Sequence, residues 1–357
     1  DPVLSVGFLN LPHGSLSFDE TPMSGIAVGW SQALPWPGKL SAQNSLAHLE
    51  SDFQNLQEEA FRNSIVRQVR ESYYEYSYQM LADSVLGQSL GLLDDLIGAV
   101  ETRYANGFGT ARDLLRAQTT RSRLENRRRQ VQQQAWAALL QLTWLTDDPD
   151  LTKQTLPPYL ILDISSEAIT SMALEKNNPS LAGMAVRTGV AQTQEALARA
   201  DYWPDFTVGV DYILRRDIPG DPVRGEDYLT FKIGLRLPLW FSKQRNNSQA
   251  AFQNVQTSKE KERAFASRLE RMISNKTGQL RTTRQSYLQY EREILPQAKA
   301  AYEAAMTAYE VGQVDYNTLI SAQLELLDIE LERLSLLKDY HTTLAVLLEL
   351  TGERYER

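Results

Sequence analysis

Not one of the 357 residues is a cysteine. That absence excludes disulfides and thiolate metal sites, and it fits an oxidising compartment. Histidine is nearly missing as well. His13, His48 and His341 are scattered, the six methionines are not clustered, and no metal-ligand spacing emerges. No cofactor or metal is therefore expected. Long hydrophobic runs are also lacking. The longest nearly apolar stretch, Ala135 to Leu145, is interrupted by Gln141 and Thr143 and falls well short of a spanning helix. A mean hydropathy of −0.39 agrees. Positive charge is not in excess either: 37 Lys and Arg stand against 45 Asp and Glu, a net −8, which leaves no basic footprint for nucleic acid. Nor is there a nucleophile–His–acid set or a phosphate loop. Isolated pairs such as Asp94-Asp95 and Asp147-Asp148 read as surface or linker charge, so no enzyme is expected.

What the chain does have is a sentence said twice. Tyr104-Ala-Asn-Gly107 leads through Leu114 and Ala117 to Gln118, and Tyr309-Glu-Val-Gly312 leads through Leu319 and Ala322 to Gln323. The tyrosine, glycine, leucine, alanine and glutamine all recur 205 residues on. Self-similarity at a fixed offset marks a duplicated unit. Gly107 and Gly312 can take the left-handed conformation that ends a helix cheaply. Apolar residues return at helical spacing after each one, so each copy predicts the tip of a long helical hairpin.

In chain order, Leu4, Val6 and Phe8 alternate with Ser5 and Gly7, which predicts a strand. Ile26, Val28 and Trp30 alternate with small residues in a second, stopped by Pro35-Trp36-Pro37-Gly38. From about Leu40 to Tyr104 an amphipathic pattern predicts some 65 helical residues, roughly 100 Å. The tip follows, then a returning helix to about Leu145 and a Pro-containing linker. The second half replays this: a helix over 179–202, strands over 206–214 and 229–237, a long helix from about Ser242, the second tip, and a last helix to about Leu350. Pro296 lies at the offset from Gly91, which predicts that both long helices weaken at one place. The expected divisions are a first repeat over 1–145, a linker over 146–165 and a second repeat over 166–357. The first repeat lacks a counterpart to the helix at 179–202, so that helix is expected to precede Asp1, with the chain read as a mature or trimmed piece.

The strands carry large apolar residues on one side. Leu4, Val6, Phe8, Ile26, Val28, Trp30, Phe206, Val208, Val210, Phe231, Ile233 and Leu235 are expected to face lipid. Gly7, Gly29, Thr207, Gly209, Lys232 and Arg236 are expected to face a lumen. Trp30, Trp36, Trp203 and Trp240 read as aromatic girdles at strand ends. A soluble sheet with one wet face is the plainer alternative. Four strands cannot close a barrel, so a membrane reading requires several protomers.

Two rounds of strand, loop, strand, long helix, Tyr-x-x-Gly tip and returning helix resemble the TolC-type outer-membrane efflux channels, over nearly the whole chain. The Gln32-Ala-Leu-Pro-Trp-Pro-Gly-Lys39 junction looks most like their heavy-metal-efflux branch. The resemblance implies a mainly α fold: tandem-duplicated helical hairpins forming a coiled-coil-like α-barrel, with four strands contributing to a trimeric transmembrane β-barrel. It further implies a homotrimer in the outer membrane of a Gram-negative bacterium, most of the chain lying in the periplasm. Its partners would be a periplasmic adaptor (membrane fusion) protein, an inner-membrane transporter and outer-membrane lipid. The protein would be a passive conduit exporting drugs, metal ions or other small solutes.

Tyr104, Gly107 and Gly312 would belong to the adaptor-docking tips. Asp113 matches an aspartate that helps close the periplasmic entrance, and Tyr309 matches the tyrosine of that network. Val314 stands where the family places a basic partner, and Thr318 and Ser321 stand where some members carry a ring of aspartates. Arg112, Asp113, Arg116 and Asp315 could form another charged latch, or could be solvated helix starts. A soluble coiled-coil scaffold or periplasmic adaptor is the alternative function. An adaptor hairpin usually occurs once between β-rich halves, whereas here two hairpins alternate with strand pairs.

Overall fold

The computed structural model describes residues 1–107, 110–151, 156, 158 and 178–352. Most of the expected linker, 146–165, lies outside the described residues. Four antiparallel strands and long helices follow in the expected order: β1 (Pro2–Leu9), β2 (Gly25–Leu34), α1 (Lys39–Ala105), α2 (Ala111–Thr146), α3 (Pro179–Ala200), β3 (Asp205–Arg215), β4 (Tyr228–Arg236), α4 (Phe241–Gln289), α5 (Leu295–Glu310) and α6 (Tyr316–Thr351). The chain divides into two compact units. One comprises Asp1–Asn55 and Gly183–Ala264, the other Leu56–Ala182 and Phe265–Arg357.

The first unit is built on one sheet of order β1-β2-β3-β4, every neighbour antiparallel. Its register aligns like with like. Leu4, Trp30, Val210 and Phe231 form one row across all four strands, and Val6, Val28, Tyr212 and Leu229 form the next. The opposite face holds the row Ser5, Gly29, Asp211 and Thr230. Gly29 leaves room there for the Asp211 and Ser5 side chains, whose Oδ1 and Oγ would each lie 2.6 Å from a Cβ and would have to move. Lys232 pairs with Asp211 on the same face.

Two corners hold this sheet to its helices. Trp36, just past β2, stacks on Trp203, just before β3, with centroids 4.8 Å apart. Asp205 Oδ1 accepts from the Trp36 N–H at 3.0 Å and from Lys39 Nζ at 2.9 Å. Lys39, the first residue of α1, is buried and also reaches Asp201 at 3.1 Å. At the other end of the strands, Arg215 donates to the Pro22 carbonyl at 2.7 Å through Nε and pairs with the buried Asp221 at 2.8 Å. This ties the loop after β3 to the loop after β1.

Trp30 departs from the girdle expectation. It lies inside β2, opposite Leu4, because the Gly25–Leu34 strand runs past it to Leu34.

The second unit is helical. Leu93, Ile97 and Val100 of α1, Ala117 and Leu124 of α2, Tyr309 of α5, and Tyr316, Leu319 and Leu327 of α6 form its largest buried cluster. α6 carries the most burial, with Leu331, Leu334, Leu337, Tyr340 and Leu347 all inside. Ion pairs then lock neighbours: Arg128 with Asp83, Arg121 with Asp94, Arg127 with Asp328, and Arg333 with Glu291.

The paired weakening at Gly91 and Pro296 is half right. α1 runs unbroken through Gly87, Gly91 and Gly98, whereas Tyr290–Ile294 forms a π turn in which Leu295 N bonds to Tyr290 O. Glycine keeps its N–H and costs a helix little, while proline has none to give and the ladder must shift around it.

Both hairpin tips end in the same backbone device. Gly107 and Gly312 have φ of 78° and 75°. Gly107 N bonds to Tyr104 O and Gly312 N to Tyr309 O, each at 3.0 Å, and Gln313 N reaches back to Ala308 O at 2.8 Å. The second tip is thus a Schellman ending, with the repeated tyrosine supplying one of the carbonyls. A left-handed residue with a side chain costs about 1–2 kcal/mol. Gly312→Val should therefore destabilise the second tip by at least that amount in denaturant unfolding, with Gly312→Asn costing less.

Candidate channel entrance and membrane face

The turn after each glycine positions the entrance candidates by capping. Thr110 caps α2: its Oγ1 accepts the Asp113 N–H at 3.2 Å and donates to Asp113 Oδ2 at 2.7 Å. Asp315 caps α6, where its Oδ1 accepts from the Thr318 N–H at 2.9 Å and the Thr318 hydroxyl at 2.8 Å, and Oδ2 accepts from Asn317. These donors, the Thr318 N–H first, hold the Asp315 carboxyl below the usual carboxylate range. Within the chain the Asp315 carboxylate is thus bonded to the start of its own helix. Arg112 is exposed and pairs with neither Asp113 nor Asp315 among the described residues.

The two repeated tyrosines part company. Tyr104 is 47% exposed, whereas Tyr309 is 8% exposed. The cation beside Tyr309 is one that sequence reasoning missed. Arg103, in the last turn of α1, holds its guanidinium 5.2 Å from the centre of the Tyr309 ring, and its Nη1 reaches the Tyr309 carbonyl at 3.5 Å. That carbonyl contact is at the outer limit of a hydrogen bond, so the ring contact is the stronger tie. The repeat hid Arg103, because Ala308 occupies its counterpart position.

Tyr316, the first residue of α6, completes the cluster. It is 3% exposed, and its hydroxyl has no hydrogen-bond partner among the described residues. Burial pushes the Tyr309 phenol up, Arg103 pulls it back and Asp113 adds to the rise. Tyr316 is pushed up to about 12, by burial first, with Tyr309 and Asp113 adding and Arg116 opposing. So Asp113 and Arg116 lie close enough to be felt by both or one of these rings, while Arg112 and Asp315 do not enter. The folded state favours the neutral phenol. Stability from a neutral Tyr316 is complete below the ordinary tyrosine range near pH 10 and is lost as the pH rises toward about 12. In an ultraviolet titration several tyrosines should ionise late, and Tyr316→Phe should remove the latest of these steps.

The sheet brings together every strand residue named for lipid, Val6, Val28, Trp30, Val208, Phe231 and Ile233 among them, on a single face. Within the chain that face is largely uncovered: Phe231 is 74% and Ile233 84% exposed. Gly7, Gly29, Thr207, Gly209, Lys232 and Arg236 share the other face. Among the described residues no helix is long and apolar enough to cross a membrane.

Solved structures share this fold. The outer membrane protein VceC from Vibrio cholerae superposes with a TM-score of 0.83 at 16% identity, covering 100% of this chain and 87% of its own. The open state of the MtrE outer membrane channel of Neisseria gonorrhoeae gives 0.81 at 17%, covering 98% and 80%. The Campylobacter jejuni CmeC outer membrane channel gives 0.80 at 13%, covering 99% and 77%. No curated protein matches the chain in sequence. The profile of the family described as outer membrane efflux protein does match, over residues 170–353, just over half of the chain. With that match and four strands alternating with long Gly-ended hairpins, the chain belongs to the outer membrane efflux protein family.

Proposed function

We propose that three copies of this chain close one β-barrel and one helical tunnel, a passive conduit that does no catalysis. The chain is the outer-membrane channel component of a tripartite efflux system, its helical part periplasmic. The observation that carries the three-copy reading is the sheet itself: four strands with one largely apolar, largely uncovered face and two open edges, β1 and β4. Hydrocarbon does not tolerate unpaired strand edges, so the edges must be closed by other copies. Twelve strands from three copies suffice. A periplasmic adaptor docks at the Tyr104–Gly107 and Tyr309–Gly312 tips and connects the tunnel to an inner-membrane transporter.

In this reading Val6, Val28, Trp30, Val208, Phe231 and Ile233 face lipid. An arginine on the lipid face costs up to about 2–4 kcal/mol at mid-membrane and little on a lumen face. Val208→Arg should therefore reduce detergent-extracted oligomer sharply while Thr207→Arg leaves it near wild type. Equal tolerance at the two positions would remove the assignment.

The entrance is held narrow by Asp113, Tyr309 and Arg103, with Arg116 facing Tyr316. Arg103 supplies the positive charge that Val314 cannot. A cation over an aromatic ring contributes about 0.5–2 kcal/mol, and three symmetric copies multiply it. Asp113→Ala, Tyr309→Ala and Arg103→Ala should each raise single-channel conductance in planar bilayers, while Arg112→Ala should not. Unchanged conductance in all three would mean that these residues are only helix ends.

A further inference from the structure

The acidic chain carries a strongly basic helix. α2 has seven arginines, Arg112, Arg116, Arg121, Arg123 and Arg127 to Arg129, against Asp113 and Glu125 alone. Arg121, Arg127 and Arg128 are spent on acids of the same chain. Arg112, Arg123 and Arg129 are exposed and have no ion-pair partner among the described residues. They do not stand alone on their face. Leu115, Arg129 and Trp136 fall at multiples of seven residues, and Leu140 and Trp144 continue in fours, all exposed. Arginine and tryptophan on one uncovered stripe are the residue types that dominate protein interfaces.

The complement is in the same unit but on another helix. Glu293 in the π turn, and Glu303 and Glu310 on α5, are exposed and likewise without an ion-pair partner. Exposed Ala300 and Ala304 between them permit close approach. Because Arg103 lies over Tyr309, the last turns of α1 and α5 end at one level, and heights can be counted from the tips. At 1.5 Å per residue Arg112 and Glu310 both lie in the turn next to the tip. Glu303 lies at about 10 Å, bracketed by Arg116 at about 8 Å and Arg123 at about 18 Å. Arg129 lies at about 27 Å and Glu293 at about 25 Å. Three rungs of opposite charge thus match in height, yet the charges do not meet within the chain.

We infer that these two faces meet between copies: the outward face of α2 packs along α5, the π turn and then the last turns of α4 of the next copy. Near the tip the seam is an arginine–glutamate ladder, and farther from it the contact is made by Trp136, Leu140 and Trp144. The ladder sets register and orientation, and the aromatic part supplies affinity. This seam rests on the three-copy reading above and specifies which surfaces build it.

The test uses the top rung, which is distant from the entrance residues. Arg129→Glu and Glu293→Arg singly should each lower the chemically cross-linked oligomer of the full chain in detergent, on the order of tenfold when the loss at each pair repeats over three seams. The double variant should return it to near the wild-type level. No loss in either single variant, or no recovery in the double, overturns the seam. Should a reversal fail to fold, a Thr119→Cys/Ala304→Cys variant decides the matter, since the chain has no other cysteine. Oxidation to covalent oligomers supports the seam, and monomers alone overturn it. A wild-type chain that is itself monomeric in detergent defeats the three-copy reading before any charge is reversed.

Discussion

A β-strand at the edge of a sheet shows a row of unpaired N–H and C=O groups, and hydrocarbon offers them no partner. β1 and β4 are such edges. Everything else in this chain is consistent with that single demand. The sheet aligns its apolar rows across the strands, so that one face is largely apolar. Polar groups gather on the other face, where Asp211 lies over Gly29 and pairs with Lys232. The corners that pass from strand to helix are tied by the buried Lys39 amid Asp201 and Asp205 and by the Trp36–Trp203 stack. Assembly of copies, which the edges require, then becomes the problem the helices must also solve.

The helical unit shows how a duplicated sequence acquires asymmetry. Both tips share a left-handed glycine and the same carbonyl contact, because backbone geometry depends on residues within the turn. Their tyrosines differ because burial depends on neighbours. Tyr309 is covered by Arg103 and Tyr316, whereas Tyr104 has no equivalent cover. The same holds farther along. Gln323 is buried and donates to Ser89 O at 3.2 Å, while its repeat partner Gln118 is exposed. α6 is thereby an inner helix and α2 an outer one, and the surplus arginines collect on the outer one.

Legibility of the candidate sites follows the same division. Asp113 and Tyr309 could be named only through the family resemblance, and Asp113 lies near enough to push the Tyr309 phenol up. Arg112 looked equally suitable, being next to Asp113 in sequence, but adjacent residues on a helix point about 100° apart and do not share neighbours. Arg103 was invisible because it lies before the tip, where the repeat offers only Ala308 to compare. Tyr316 gave no signal beyond being apolar in position.

By itself the sequence determined what short-range physics controls. Period-two alternation specified the strands and their two faces, period 3.6 the helices, and the glycines at 107 and 312 the turns between them. The 205-residue offset specified that these occur twice, and the absence of cysteine, a spanning helix and a catalytic constellation narrowed the class. The tertiary structure decided what depends on separation along the chain. It set which copy of a repeated residue is buried, that Gly91 stays helical while Pro296 forces a π turn, and that Trp30 sits within the sheet. It also brought Arg103 to Tyr309, across two hundred residues. Dihedral preference and hydrophobic period are local quantities, whereas burial and pairing of charge are properties of whatever the fold happens to place alongside.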